Sequence, residues 1–169
     1  ATGTNDKAFL NATWKMSQQE LERANKTSLS KSEMPLLFTP EVTDQKRFTA
    51  FVQKDVFLWG HLTQVEYTFF DNMLYEYYVS LTAYEREKPN KEILETLRNQ
   101  FGAGREVERK RADIIYSFGW DTEKQTVSYW MLRNEGGKTY HVGISAVYKP
   151  FYRQIEEIAR NEKKEYFRK

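Results

Sequence analysis

Apolar residues recur along the chain in two rhythms. Where every second residue is aromatic or aliphatic the spacing predicts strands; where they fall three and four apart it predicts helices. The longest stretch of the first kind runs from His61 to Tyr84. Val65, Tyr67 and Phe69 share one face of the first strand, and Tyr75, Tyr77, Val79 and Leu81 share one face of the second. Asp71-Asn72 supplies the turn between them. A two-residue turn, however, sets Phe69 against Leu74 and Tyr67 against Glu76. Residues opposite each other must share a face, so the two odd-numbered sets cannot both point to one core. Three arrangements resolve the conflict: a three-residue loop, a bulge, or a second strand covered on both faces.

Before this hairpin, Arg47–Gln53 and Val56–Trp59 form either one interrupted strand or a hairpin about Lys54-Asp55. After it, three more strands are expected. The first carries Ala112, Ile114, Tyr116, Phe118 and Trp120; the second Val127, Tyr129 and Met131; the third Tyr140, Val142, Ile144, Ala146 and Tyr148. Asp121–Lys124 and Asn134-Glu135-Gly136-Gly137 are the turns. The four-residue loop pairs Met131 with Tyr140 and Tyr129 with Val142, which sets Trp130 opposite His141 on the outer face.

Three helices punctuate the strands. Ser17 and Glu20 have the spacing of a capping box, with Met16 and Leu21 as its hydrophobic staple. A second helix is expected from an N-cap at Asn90 to Gly102, with Ile93, Leu94, Leu97 and Phe101 as its apolar stripe. Pro150 opens a third, edged by Phe151, Ile155, Ile158 and Ala159, whose charged end from Arg160 to Lys169 is expected to fray. Lys26–Asp44 reads as a long connection packed by Met34-Pro35-Leu36-Leu37-Phe38. The fold class is therefore α+β: a meandering antiparallel sheet with helices on one face, and a helix-plus-three-strand order that occurs twice. Residues 1–8 read as a flexible lead-in, left by a removed targeting segment or by cloning, and residues 9–169 as a single domain.

Composition narrows the chemistry. The chain has 169 residues, 26 basic and 24 acidic, for a net charge of +2. That balance offers no general attraction to nucleic acid, and no RNA-binding motif accompanies the basic clusters around Arg105–Arg111 and Lys163–Lys169. With no cysteine, thiolate nucleophiles, disulfides and iron–sulfur clusters are excluded. No apolar run reaches the ~18 residues that suggest a membrane span. Nucleophile-elbow, zinc-protease, EF-hand and P-loop motifs are all missing. Phe101-Gly102-Ala103-Gly104 closes a helix and so cannot offer N-terminal amides to a phosphate. No cofactor or metal is expected, and no catalytic residue. Glu66, Glu76 and Asp113 lie inside strands; a solvated outer face is the ordinary reading and a cleft carboxylate the functional one. The binding candidates are aromatic: Trp59, Tyr78, Tyr84, Trp130 and His141. Trp130 and His141, with Ile115, form one expected patch, Tyr78 and Tyr84 another. Such patches either bind a partner or lie beneath a covering segment.

The run Trp14-Lys15-Met16-Ser17-Gln18-Gln19-Glu20-Leu21 resembles the W-G-M-S-x-x-E-V helix start of small bacterial cell-envelope proteins, with Lys15 in place of the usual Gly. Val65–Tyr75 resembles their Y-x-F-x-D-x-x-L-Y hairpin, and Phe101-Gly102 the Y-G that closes their second helix. The layout is similar to β-lactamase-inhibitor-protein-like folds and small outer-membrane-assembly lipoproteins. The resemblance implies a non-enzymatic extracytoplasmic module, periplasmic or anchored by a lipid upstream, that meets a protein partner through its sheet or loops. The competing expectation is a small-ligand-binding or hydrolytic pocket on a curved sheet.

Overall fold

A computed structural model describes residues 7–33, 39–108 and 111–168; the apolar patch at 34–38, the basic pair Arg109-Lys110 and the first six residues of the lead-in lie outside them. Helix α1 is Gln18–Ala24, followed by strands β1 (Ser30–Lys31), β2 (Phe48–Leu58), β3 (His61–Phe70) and β4 (Met73–Ala83). Helix α2 is continuous through Glu87–Pro89, a π-helical turn at Asn90–Leu94, and Glu95–Phe101. Then come β5 (Arg105–Glu106), β6 (Ile114–Asp121), β7 (Gln125–Arg133), β8 (Tyr140–Tyr148) and α3 (Lys149–Arg168). The strands form one eight-stranded antiparallel sheet in the order β1-β2-β3-β4-β8-β7-β6-β5. The fold is thus α+β with a meandering antiparallel sheet. Each meander begins on a helix and a two-residue edge strand, and their last strands, β4 and β8, are neighbours.

Local chemistry sets the joints. The Ser17 hydroxyl accepts from the Glu20 amide at 3.1 Å, and the Glu20 carboxylate accepts from the Ser17 amide at 3.4 Å, so the capping box closes. Trp59-Gly60 and Asp71-Asn72 both have two successive positive φ angles, the two-residue hairpin turn that matches strand twist. Strand β2 is uninterrupted in pairing but takes φ 59 at Asp55. Ala8 is tied down by its amide, which donates to the Ala12 carbonyl, and Lys7 bridges Thr13.

Three expectations about elements change. Helix α2 starts at Glu87, ahead of the expected cap at Asn90. Pro89 sits in the first turn, where no amide donor is needed, so it does not delay the start. The Asn90 amide oxygen is free to accept from the Tyr129 hydroxyl at 2.6 Å. Strand β6 is bulged between Ile114 and Tyr116, so Ile115 turns inward and leaves the outer patch expected of it. The charged end of α3 is helical through Arg168, with Glu162 accepting from the Thr43 amide at 2.6 Å and Lys163 paired with Glu41 at 2.6 Å.

The chain divides into two compact units. The first comprises Ala1–Gln53, Glu66–Tyr77 and Val147–Lys169. Its core joins Phe48, Phe70 and Tyr75 to Phe151, Ile155 and Ala159 of α3. Trp14 stacks between Tyr77 and Tyr148 at 5.7 and 5.6 Å. On the other side, Asn25 at the end of α1 donates to Tyr67 and Gln53. Tyr67 and Phe70 differ in parity along β3, so α1 and α3 take opposite faces of that strand, where the alternation had pointed to a single helical face. Around the two-residue turn Phe69, Phe70, Leu74 and Tyr75 are all buried, so both faces of the hairpin end are covered. The second unit comprises Lys54–Val65 and Tyr78–Ala146. Its buried residues include Val79, Leu81, Ile115, Trp120, Val127, Tyr129, Met131, Val142 and Ile144, with Ile93, Leu94 and Leu97 from α2. Gly104, at φ 72, is held to glycine twice over, because a Cβ there would lie 2.6 Å from the Trp120 indole nitrogen.

Two substitutions test this packing. Ile155→Ala is expected to cost about 2–4 kcal/mol in urea unfolding, since the cavity opens in the α3 core. Lys15 holds φ 69, a left-handed conformation that disfavours side chains. Lys15→Gly is expected to raise stability by about 0.5–1 kcal/mol, net of the lost contact between its ammonium and the Phe151 ring.

Candidate binding face

Alternation along β7 buries Val127, Tyr129 and Met131 and turns Trp130 to the other side of the sheet. On the β6 side Trp130 stands opposite Ser117. Its indole lies flat against Gly143 of β8, so closely that a Cβ built on that glycine overlaps the indole Cε2 and Cζ2 atoms. Tyr78 of β4 stacks on Trp130 with ring centroids 5.5 Å apart and planes 6° from parallel. The Tyr78 hydroxyl lies 2.7 Å from Nε2 of His141 on β8. Burial holds the His141 imidazole below its ordinary proton affinity, so the ring is neutral at neutral pH. A neutral imidazole donates from one nitrogen and accepts at the other, which suits a hydroxyl partner in either role.

Three of the five aromatic candidates thus come together from three different strands: Tyr78, Trp130 and His141. All three are half-buried, presenting ring edges and faces rather than whole side chains. Tyr84 lies just past β4, is 77% exposed, and does not pair with Tyr78. Trp59 occupies the β2–β3 turn with φ 51, half-buried and outside the cluster. Gly143 was not among the candidates. Its signal was a lone glycine in the middle of an otherwise alternating strand, which often marks a close approach by another group.

An open groove of 300 Å³ adjoins His141. Leu62, Gln64, Ser80 and Thr82 line it together with Lys54 and Asp55 from β2. Leu62 is 62% exposed at this site, a large apolar side chain on a largely polar wall that also includes Leu81. Two larger hollows, of 470 and 480 Å³, lie among charged side chains around Arg133 and around Lys91.

The carboxylate candidates separate. Asp113 is held by Arg111 through two contacts of 3.0 and 2.5 Å, an exposed pair. Glu66 accepts from the Ser32 hydroxyl at 3.0 Å. Glu76 is different: burial, then the nearby Glu66 charge, pushes its carboxyl up to about 7. His61 keeps Nε2 buried and without a hydrogen-bond partner among the described residues. No cluster of three or more His, Asp or Glu side chains able to hold a metal occurs among the described residues. Nor is any described helix long and apolar enough to cross a membrane. Comparison with protein-family models, with curated proteins and with solved structures finds no match to the chain.

Gly143→Ala is expected to lift the Trp130 indole off the sheet, at a cost of about 1–3 kcal/mol, with a shifted indole resonance in the proton NMR spectrum. An unmoved Trp130 resonance would refute the flat seating. Glu76 supplies a pH test. Its carboxyl binds a proton more tightly in the folded chain than at the ordinary value of 4.5. The resulting stability is fully present below that value and is lost as the pH rises through about 7. Glu76→Gln is expected to flatten the fall in urea midpoint between those two pH values.

Proposed function

We propose that this protein is a non-catalytic binding module that contacts a protein partner through the sheet face carrying Tyr78, Trp130 and His141. The observation that carries the reading is the cluster itself. Two stacked rings and an uncharged imidazole, seated on a glycine, form a rigid aromatic platform with hydrogen-bonding edges. Tyr and Trp are the side chains most often found at the energetic centre of protein interfaces, because they bring large area at small conformational cost. Rigidity helps further, since a ring already stacked and bonded loses little freedom when a partner arrives. An extracytoplasmic address, periplasmic or with a lipid anchor upstream, goes with this reading through the helix-start resemblance at Trp14–Leu21. A genomic reading frame that encodes no export signal ahead of this segment would remove that address and leave the platform.

Affinity capture from extracts of the producing organism tests the interface. The wild-type chain and Trp130→Ala are compared, with far-UV circular dichroism confirming that both are folded. A protein retained by the first and lost about tenfold or more from the second is the expected result, the size of a moderate interface hot spot. Equal retention by both chains, or none by either, would count decisively against the platform.

One observation favours a second reading, a small polar ligand in the groove beside His141. Hydroxyl, amide and imidazole groups converge there over 300 Å³, the lower end of the range for ligand pockets. Thr82→Trp would fill the groove: it abolishes small-ligand binding under this reading and leaves capture of a protein by Trp130 intact under the first.

A further inference from the structure

Helix α3 continues past its last buried residue, Ala159, for nine more residues. On its inner side Phe151, Ile155, Ile158 and Glu162 fall at successive helical spacings against the body of the first unit. The opposite side has another composition. Arg160, Lys164 and Arg168 stand four residues apart, one above the other, and Lys163 flanks them. Phe167 is placed among them: it is seven residues from Arg160, four from Lys163 and three from Lys164, all same-face spacings. Its ring is 83% exposed. Tyr166, 78% exposed, meets it edge to face at 5.6 Å. Within 160–168 the acidic residues are arranged otherwise, and Glu157 stands one turn before Arg160 on the cationic side. Glu162 is turned to Thr43, and Glu165 lies between Arg168 and the inner stripe. Lys163 reaches Glu41, but Arg160, Lys164 and Arg168 form no ion pair among the described residues.

We propose that this face of α3 docks on the surface of an anionic lipid bilayer. A phenylalanine at the centre of a cationic helical face has two requirements at once, an apolar medium for the ring and negative charge for its surroundings. The headgroup layer of an anionic membrane meets both within a few ångströms, with long basic side chains spreading to the phosphates while the ring enters the acyl boundary. The shape of the face also matters. It is the convex side of a helix, suited to a flat surface, whereas single-stranded nucleic acid is held in basic grooves. One ring and four cations amount to reversible, salt-sensitive attachment rather than insertion. The inference is independent of the sheet-face reading, because it uses none of the same residues.

Co-sedimentation of the full chain with vesicles tests it. Binding to phosphatidylcholine–phosphatidylglycerol (3:1) vesicles is expected at low salt, with little binding to pure phosphatidylcholine and loss in 0.5 M salt; the variants Phe167→Ser and Lys164→Glu/Arg168→Glu should each lower the partition coefficient about tenfold.

The salt effect is charge screening: at 0.5 M the Debye length shrinks to about 4 Å, too short for headgroup charges to hold the helix. Circular dichroism and urea midpoints of the variants should match the wild type, since the altered residues lie outside the core. Equal binding to both vesicle types, or binding unchanged in the variants, would overturn the proposal. So would salt-sensitive binding to a single-stranded oligonucleotide without binding to vesicles. Light scattering that shows self-association abolished by Phe167→Ser, with no vesicle binding, would assign the face to a second copy of the chain instead.

Discussion

Consecutive residues of a strand point to opposite faces, and at the β3–β4 turn consecutive residues are buried. Phe69 with Phe70, and Leu74 with Tyr75, leave neither face of the hairpin end fit for water. This stretch must be covered twice. Helix α3 supplies Phe151 and Ile155 to the Phe70–Tyr75 side, and the segment around α1 covers the Tyr67 side. Further along β4 the demand changes. Val79 and Leu81 remain buried, but Tyr78 and Ser80 are half-buried and Thr82 is exposed. The same strand passes from two-sided to one-sided burial, and the aromatic platform begins where the second cover is no longer required.

Much of this was legible in the residues because it is local. The capping box at Ser17, the helix stop at Gly102 and the strands of the second meander depend on neighbours within a few positions. The edge strands β1 and β5 were not legible: each has two exposed residues and no apolar alternation, so only pairing with β2 and β6 defines them. The start of α2 lies ahead of the expected cap because Pro-Asn fits an N-cap signal and also fits a first turn; Asn90 instead accepts from Tyr129, far along the chain. The bulge at Ile115 is likewise silent in the sequence, since Ile-Ile satisfies either face.

The candidate face was half legible. Hairpin geometry alone set Trp130 and His141 near each other. Tyr78 joins them only because β4 neighbours β8, a pairing between segments some sixty residues apart that no local pattern specifies. Tyr84 and Tyr78 carry equal aromatic character in the sequence, yet one ends exposed beyond the strand and the other is stacked and bonded. Glu76 shows the same limit from the polar side. Its alternation marks an outer face, but burial and the Glu66 charge depend on what the fold brings over it.

The two surfaces differ in the force they can exert. At the sheet face the imidazole is neutral and the rings are uncharged, so recognition there rests on contact area and directed hydrogen bonds, which salt barely affects. At the end of α3 the cations lie in water and act at a distance, within the reach of ionic screening. Ionic strength therefore separates the two modes of attachment without any mutation: a partner that survives high salt belongs to the aromatic platform, and one released by it belongs to the helix. A single chain using both would show two-step release, with the salt-sensitive component leaving first.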